Sequence, residues 1–139
     1  MTERLPGVLS KLPPALFTII TGVVILWLTL APKPLGEHPP QLFPGADKLA
    51  HGLMFGGLTA MMLFDWQRVH QWERASWGMA TLYATAVTFF GIFIECAQNL
   101  MQQGRGFEWG DILADTIGAF TFAILWMLLQ KYWLRIIPK

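Results

Sequence analysis

GIFIECAQNLMQQGRGFEWGDILADTIG, residues 91–118, is the stretch whose reading decides the fold. It starts inside one apolar segment, crosses a short glycine-bracketed loop and enters the next. Glu95, Gln98, Arg105, Asp111 and Asp115 lie along it. A carboxylate inside a membrane helix costs about 2.5–3.5 kcal/mol even on the lenient insertion scale. Side chains this expensive persist where something is gained from them, so the stretch holds a candidate site. Two apolar segments joined by so short a loop are also neighbours in space.

Composition sets the class. The 139-residue chain is 54% hydrophobic and carries seven Trp. Charged residues make up 14%, where about 25% is usual for soluble domains. These values point to a small multi-pass membrane protein. The net charge of +1 says little, because charge placement governs membrane topology more than its sum. Cys96 is the single cysteine, which excludes an internal disulfide. It has no Cys or His at metal-motif spacing and reads as a small apolar helix residue. No repeat, nucleotide-binding glycine motif or basic nucleic-acid patch is present, so nucleic acid is not an expected partner.

Four spans are expected, over about 14–31, 47–66, 77–101 and 111–132, forming one all-α transmembrane domain over 1–139. The first follows Pro13-Pro14. Its apolar run, 15–31, is near the lower limit for crossing a bilayer. A cleaved signal peptide is the rival reading. The run is long for one, and Pro32 directly after Ala31 suits a cleavage site badly. Residues 32–46 hold five prolines and two glycines, so they form an irregular loop; His38 there reads as a solvated histidine. Asp47 follows Pro-Gly-Ala and is placed as an N-cap of the second helix. Asp111 is a second N-cap candidate. Gly52, Gly56 and Ala60 recur every four residues, a small-residue stripe that lets another helix approach closely. In the third span, Thr81, Thr85, Thr88, Gly91, Glu95, Gln98 and Gln102 are assigned to one protein-facing side. In the fourth, Asp111, Asp115, Gly118 and Phe122 share a face. Residues 67–76 form a polar loop with Arg68, His70 and Arg74.

Lys/Arg placement gives the orientation. Arg4, Lys11, Arg68, Arg74, Lys131, Arg135 and Lys139 lie on one side; Lys33, Lys48 and Arg105 lie on the other. The positive-inside rule puts both termini in the cytoplasm. Trp66, Trp77 and Trp133 then mark the inner interface, and Trp27 and Trp109 the outer one. Asp47, Lys48, His51, Glu95, Gln98, Arg105, Asp111 and Asp115 are expected at the outer end, with Glu108 at the rim. Glu95 is six residues from the end of its span, about 9 Å deep at 1.5 Å per residue. The inner half reads as almost purely apolar.

The chemistry of these types is suggestive. Acids outnumber bases, so the cluster settles by protonating His51, by neutralising a carboxyl group or by binding a divalent cation. Arg105, held open between Gly104 and Gly106, offers a guanidinium fork for phosphate or carboxylate. Asp47 and Asp111 also read as plain caps, and Gln98 and His51 as inter-helix hydrogen bonds.

The pattern DKLAH, then ECAQ, then GR, then D-x-x-x-D with Gly118 three residues on, resembles the VanZ-like family of small membrane proteins, named for a teicoplanin-resistance protein. The likeness covers 47 to about 120. It implies site positions at Asp47, Lys48, His51, Glu95, Gln98, Arg105 and Asp111; Asp115 falls where the family often carries Asn. It also implies a cell-envelope role linked to glycopeptide resistance in the plasma membrane. The leading expectation is binding or processing of an anionic lipid or lipid-linked envelope precursor, with Lys48, Arg105, Asp47 and Gln98 binding. An intramembrane hydrolase or transferase is the alternative, with Glu95, His51, Asp111 and Asp115 as acid–base or metal-ligating groups. A flippase and an assembly factor are further alternatives, as is a homo-oligomer formed through Gly52 and Gly56.

Overall fold

A computed structural model describes residues 5–37, 42–102, 104 and 106–137. Among these residues the chain is helical, with no strand. The elements are α1 (Leu5–Leu9), α2 (Leu16–Leu30), α3 (Ala46–Val69), α4 (Trp77–Met101) and α5 (Trp109–Ile136). The membrane-length helix expected over 77–101 has those bounds.

Local chemistry sets most of the ends. α2 stops where Ala31 turns extended ahead of Pro32, because a residue before proline is pushed out of the helical region. α3 is entered through Gly45 at φ 86°, a left-handed conformation that glycine adopts without strain. At α4, Ser76 Oγ accepts a hydrogen bond from the Met79 N–H at 3.1 Å, an N-cap that satisfies an otherwise orphan donor.

Two expected caps are corrected. Asp47 and Asp111 lie inside the first turns of α3 and α5. The capping residues are Gly45 and Glu108, and neither makes a side-chain cap bond. Both aspartates turn instead to Lys48. In the first turn they still face the positive end of the helix dipole.

α3 also runs past its expected end, to Val69. Asp65, Gln67 and Arg68 are buried there, which corrects both the loop assignment of Arg68 and the apolar character expected of that half. Asp65 Oδ2 accepts from the Thr18 N–H (2.8 Å) and Oγ1–H (2.9 Å). Arg68 donates to Asp65 Oδ1 from Nη2 (2.9 Å) and Nε (3.3 Å). Its remaining donors reach the carbonyls of Leu9, Leu12 and Pro13 at 2.7–3.0 Å. All five guanidinium N–H groups are thereby used. Beside this pair, Gln130 Oε1 accepts from Gln67 Nε2 (2.9 Å) and from the Ala75 N–H (3.0 Å), tying α3, α5 and the entry to α4 together.

α3 and α5 form the largest interface, followed by α4 with α5; α2 packs on α3 and, less, on α4. Glycine makes the first contact possible. A Cβ on Gly118 would lie 2.0 Å from the Gly52 carbonyl oxygen, and one on Gly56 2.4 Å from the Phe122 ring. The stripe expected to receive a second copy through Gly52 and Gly56 is therefore covered by α5 of the same chain.

The buried face of α4 is Ala80, Ala84, Val87, Gly91, Ile94, Glu95 and Gln98. This corrects the threonine face: Thr81 is exposed, and Thr85 and Thr88 are only half-buried. At 100° per residue, Thr81 and Thr85 lie about 80° and 120° from Gly91, whereas Ala80, Ala84 and Val87 lie within about 40°. The hydroxyls of Thr85 and Thr88 are satisfied inside the helix, by the carbonyls of Thr81 (2.8 Å) and Ala84 (3.0 Å), so they need no neighbour.

α4 and α5 are long and apolar enough to cross a membrane, with only 33% and 28% of their most apolar windows buried. The core helix of a soluble protein would be mostly covered. Here Phe89, Phe93, Ile117, Ile124 and Leu128 stand exposed. α2 is apolar but has 15 residues, about 22 Å at 1.5 Å per residue.

Candidate functional site

The site is built where the start of α3, the end of α4 and the start of α5 meet. Lys48 and His51 are three residues apart on α3, hence on one side of it. Asp111 and Asp115 are one turn apart on α5 and face them. Glu95 comes up from α4. Gly91 makes room: a Cβ there would lie 2.6 Å from Asp115 Oδ2. Gly110 does the same for the Lys48 stem, at 3.1 Å from Cε.

Lys48 sits among three carboxylates. Its Nζ donates to Glu108 Oε2 and Asp111 Oδ1 and lies 3.3 Å from Asp47 Oδ2. The ammonium expected to meet an anionic ligand is thus paired with the protein's own acids. One turn deeper, His51 Nδ1 is 2.9 Å from Asp115 Oδ1, and His51 Nε2 is 3.7 Å from Asp111 Oδ2. Asp115 is 1% exposed, so its carboxylate holds the imidazole from within the bundle. The Phe55 ring lies parallel to His51, with centroids 6.1 Å apart, closing the site from below.

Glu95 is fully buried. Its Oε2 accepts from the Glu108 backbone N–H at 2.9 Å, a bond across the loop between α4 and α5. Its Oε1 is buried and has no hydrogen-bond partner among the described residues. Leaving such an atom unsatisfied costs about 1–3 kcal/mol, and more for a charged group. One donor atom from each of His51, Glu95 and Asp111 lies within 4.8 Å of the others, as does one from each of Asp47, Glu108 and Asp111. The second group already encloses the Lys48 ammonium.

Gln98 points elsewhere: its Nε2 donates to the Thr29 carbonyl at 2.8 Å, linking α4 to α2. It lies on the wall of a cavity of about 820 Å³ bounded by the end of α2, residues 31–37 and 42–46, the start of α3 and the end of α4. Leu28, Leu35, Phe43 and Met54 give that wall apolar surface, while Asp47, His51 and Gln98 supply a polar side. His51 therefore belongs to both the carboxylate cluster and the cavity.

Of the residues singled out in the sequence, Asp47, Lys48, His51, Glu95, Asp111 and Asp115 come together, with Gln98 beside them. Arg105 and His38 lie outside the described residues. Glu108, expected only at the rim, is a full partner of Lys48 and, through its backbone, of Glu95. No local motif marks the cavity or the position of Phe55 against His51. The Asp65–Arg68 pair was absent from the expected site residues; its i, i+3 spacing at the end of an apolar run was the available signal.

The chain matches the VanZ/LLP1 family model over residues 9–130. That is most of its length. The chain belongs to the VanZ/LLP1 family. Every site residue lies within the matched region. With the apolar spans α4 and α5, membership makes it a VanZ-like membrane protein. No curated protein matched the chain significantly, and no solved structure did.

Proposed function

We propose that this VanZ/LLP1 protein is a single-domain, multi-pass plasma-membrane protein that binds a lipid or lipid-linked cell-envelope component at the outward end of a four-span bundle. α2 to α5 serve as the spans, with both termini in the cytoplasm. The observation that carries this reading is the cavity beside His51. The apolar wall of this cavity of about 820 Å³ suits an acyl or prenyl chain, and its polar side with Asp47, His51 and Gln98 suits a headgroup rich in hydroxyl or amino groups. With Lys48 committed to Asp47, Glu108 and Asp111, the anionic part of the ligand falls to Arg105, on the sequence assignment. In this role the protein alters access to envelope precursors, which is how a link to glycopeptide (teicoplanin) resistance would arise.

Blocking the cavity tests the reading. Ala50 lines it, and Ala50→Trp would fill part of it without touching the carboxylate cluster. Native mass spectrometry of the protein in mild detergent is expected to show a retained lipid on the wild type and its loss from a variant that remains monodisperse. Equal lipid retention by both proteins rejects the cavity as the binding place.

One observation favours a second reading, an acid–base hydrolase or transferase acting on that headgroup. An imidazole held by a buried carboxylate at 2.9 Å is arranged to take and return a proton. Turnover of a bound lipid by wild type but not by Asp115→Asn, with both retaining it, would select catalysis over binding.

A further inference from the structure

We infer that His51, Glu95 and Asp111 form a binding site for one divalent cation of the zinc or manganese type, with Asp115 and Lys48 orienting its ligands. The inference goes beyond lipid binding, because it stands on the carboxylate cluster alone and holds whatever occupies the cavity.

Three observations converge. The first is Glu95 Oε1, buried in a fully covered side chain and lacking a partner among the described residues while Oε2 of the same carboxylate is bonded to the Glu108 N–H. A bound cation supplies the missing partner. The second is the division of labour among the donors. Asp115 Oδ1 holds His51 Nδ1 at 2.9 Å, which fixes the Nδ1–H tautomer and leaves the Nε2 lone pair on the side of Asp111 Oδ2, 3.7 Å away. A carboxylate behind a histidine is the usual arrangement at metal ligands. Likewise, Lys48 holds Asp111 Oδ1, leaving Oδ2 for a metal. The third is spacing: one donor atom from each of His51, Glu95 and Asp111 falls within 4.8 Å of the others. Tetrahedral ligands at about 2.1 Å from a metal stand about 3.4 Å apart, so side-chain rotations of roughly an ångström close the site.

Charge agrees with this assignment. Two carboxylates and a neutral imidazole around a divalent ion sum to zero, which suits a water-poor location. Beyond these ligands, the Lys48 ammonium is paired with Asp47 and Glu108, and the Asp115 carboxylate is hydrogen-bonded to His51 Nδ1. One nitrogen and two oxygen donors suit Zn²⁺ or Mn²⁺ better than Ca²⁺, which takes six to eight oxygens. Three protein ligands leave a position open for water or a ligand atom, the pattern of catalytic rather than structural zinc sites. The Asp47, Glu108 and Asp111 group carries no such inference, since Lys48 already fills it.

The test uses the full chain in detergent, stripped by chelation and titrated with ZnCl₂ or MnCl₂ alone, without added lipid. Bound metal is counted by mass spectrometry after dialysis. The wild type is expected to take up one equivalent and to melt at a higher temperature with metal than without. Glu95→Gln and Asp111→Asn are expected to weaken binding by more than about 100-fold, and Asp115→Asn by about 10–100-fold, the usual effect of removing a carboxylate behind a histidine ligand. Glu73→Gln, in the exposed segment before α4, serves as the control and should match the wild type. A wild type that shows neither uptake nor a metal-dependent shift in melting overturns the site without any reliance on variant folding. So does uptake that is the same in wild type and in a folded Glu95→Gln. Neither result bears on the cavity, whose Ala50→Trp test involves no metal.

Discussion

Glu95 carries more of the argument than any other side chain. It is fully buried beside His51 and Asp111; one carboxylate oxygen is bonded to backbone and the other has no hydrogen-bond partner among the described residues. A residue kept only for stability would not be left in that state, because an amide would fit better. Gln at this position keeps a carbonyl oxygen for the Glu108 N–H, and its NH₂ can donate to the acids opposite. Glu95→Gln is therefore expected to keep or raise stability in detergent, by about 1–3 kcal/mol, while abolishing the protein's cellular effect. Failure of Glu95→Gln to accumulate in the membrane would instead make Glu95 structural. The sequence made Glu95 and Asp115 conspicuous because a carboxylate in an apolar run is expensive. It could not show that Lys48 is neutralised within the chain, since that depends on Asp47 of α3, Asp111 of α5 and Glu108 just before α5 meeting one ammonium.

At the scale of helices, the closest approach is between α3 and α5, at Gly52 and Gly118. Gly118→Ala would place a methyl group 2.0 Å from a backbone carbonyl, an atom that cannot rotate away. Helix separation is the only relief. The expected cost is about 1–3 kcal/mol or more, read as a lower melting temperature together with loss of site function, because Asp115 lies one turn away. Gly57→Ala, which meets nothing within 4 Å, should be neutral or slightly stabilising; equal behaviour of the two variants would contradict the packing described. The existence of α4 and α5 was legible from their apolar runs, whereas α5 extends beyond the expected 111–132 at both ends, to Trp109–Ile136. The face of α4 was not read correctly, because threonine polarity was taken as a demand for neighbours that its own helix carbonyls already meet. The end of α3 was missed for a related reason. Asp65 and Arg68 look solvent-bound in sequence, yet each supplies the other's partner and they are buried as a unit. One partner alone would have left a buried charge uncompensated, at about 3–5 kcal/mol.

For the whole molecule, the two polar regions lie at opposite ends of the bundle and differ in kind. The Asp65–Arg68 end is saturated: all of its guanidinium donors are used, so it holds the segment before α2 in place. The His51–Glu95 end has an unpartnered oxygen and opens onto a cavity. Arg68 no longer weighs as a free charge, but Lys11, Arg74, Lys131 and Arg135 keep the bias from which the positive-inside rule predicts cytoplasmic termini. In a chain whose exposed Cys96 is replaced by Ser, a Cys at 105 should react with an impermeant maleimide in intact cells. A Cys at 74 should react only after permeabilisation. The reverse pattern would turn the site toward the cytoplasm and remove the case for an external envelope ligand.

The central claim is that the carboxylate–histidine end is a working site served by the adjoining cavity. An experimental structure of the protein purified with its native lipid tests this most directly. The account predicts chain density in the cavity between α2 and α3, ending in a headgroup within hydrogen-bond reach of His51 or Glu95. A cavity occupied by the protein's own side chains, with lipid only on the outer faces of α4 and α5, would contradict it.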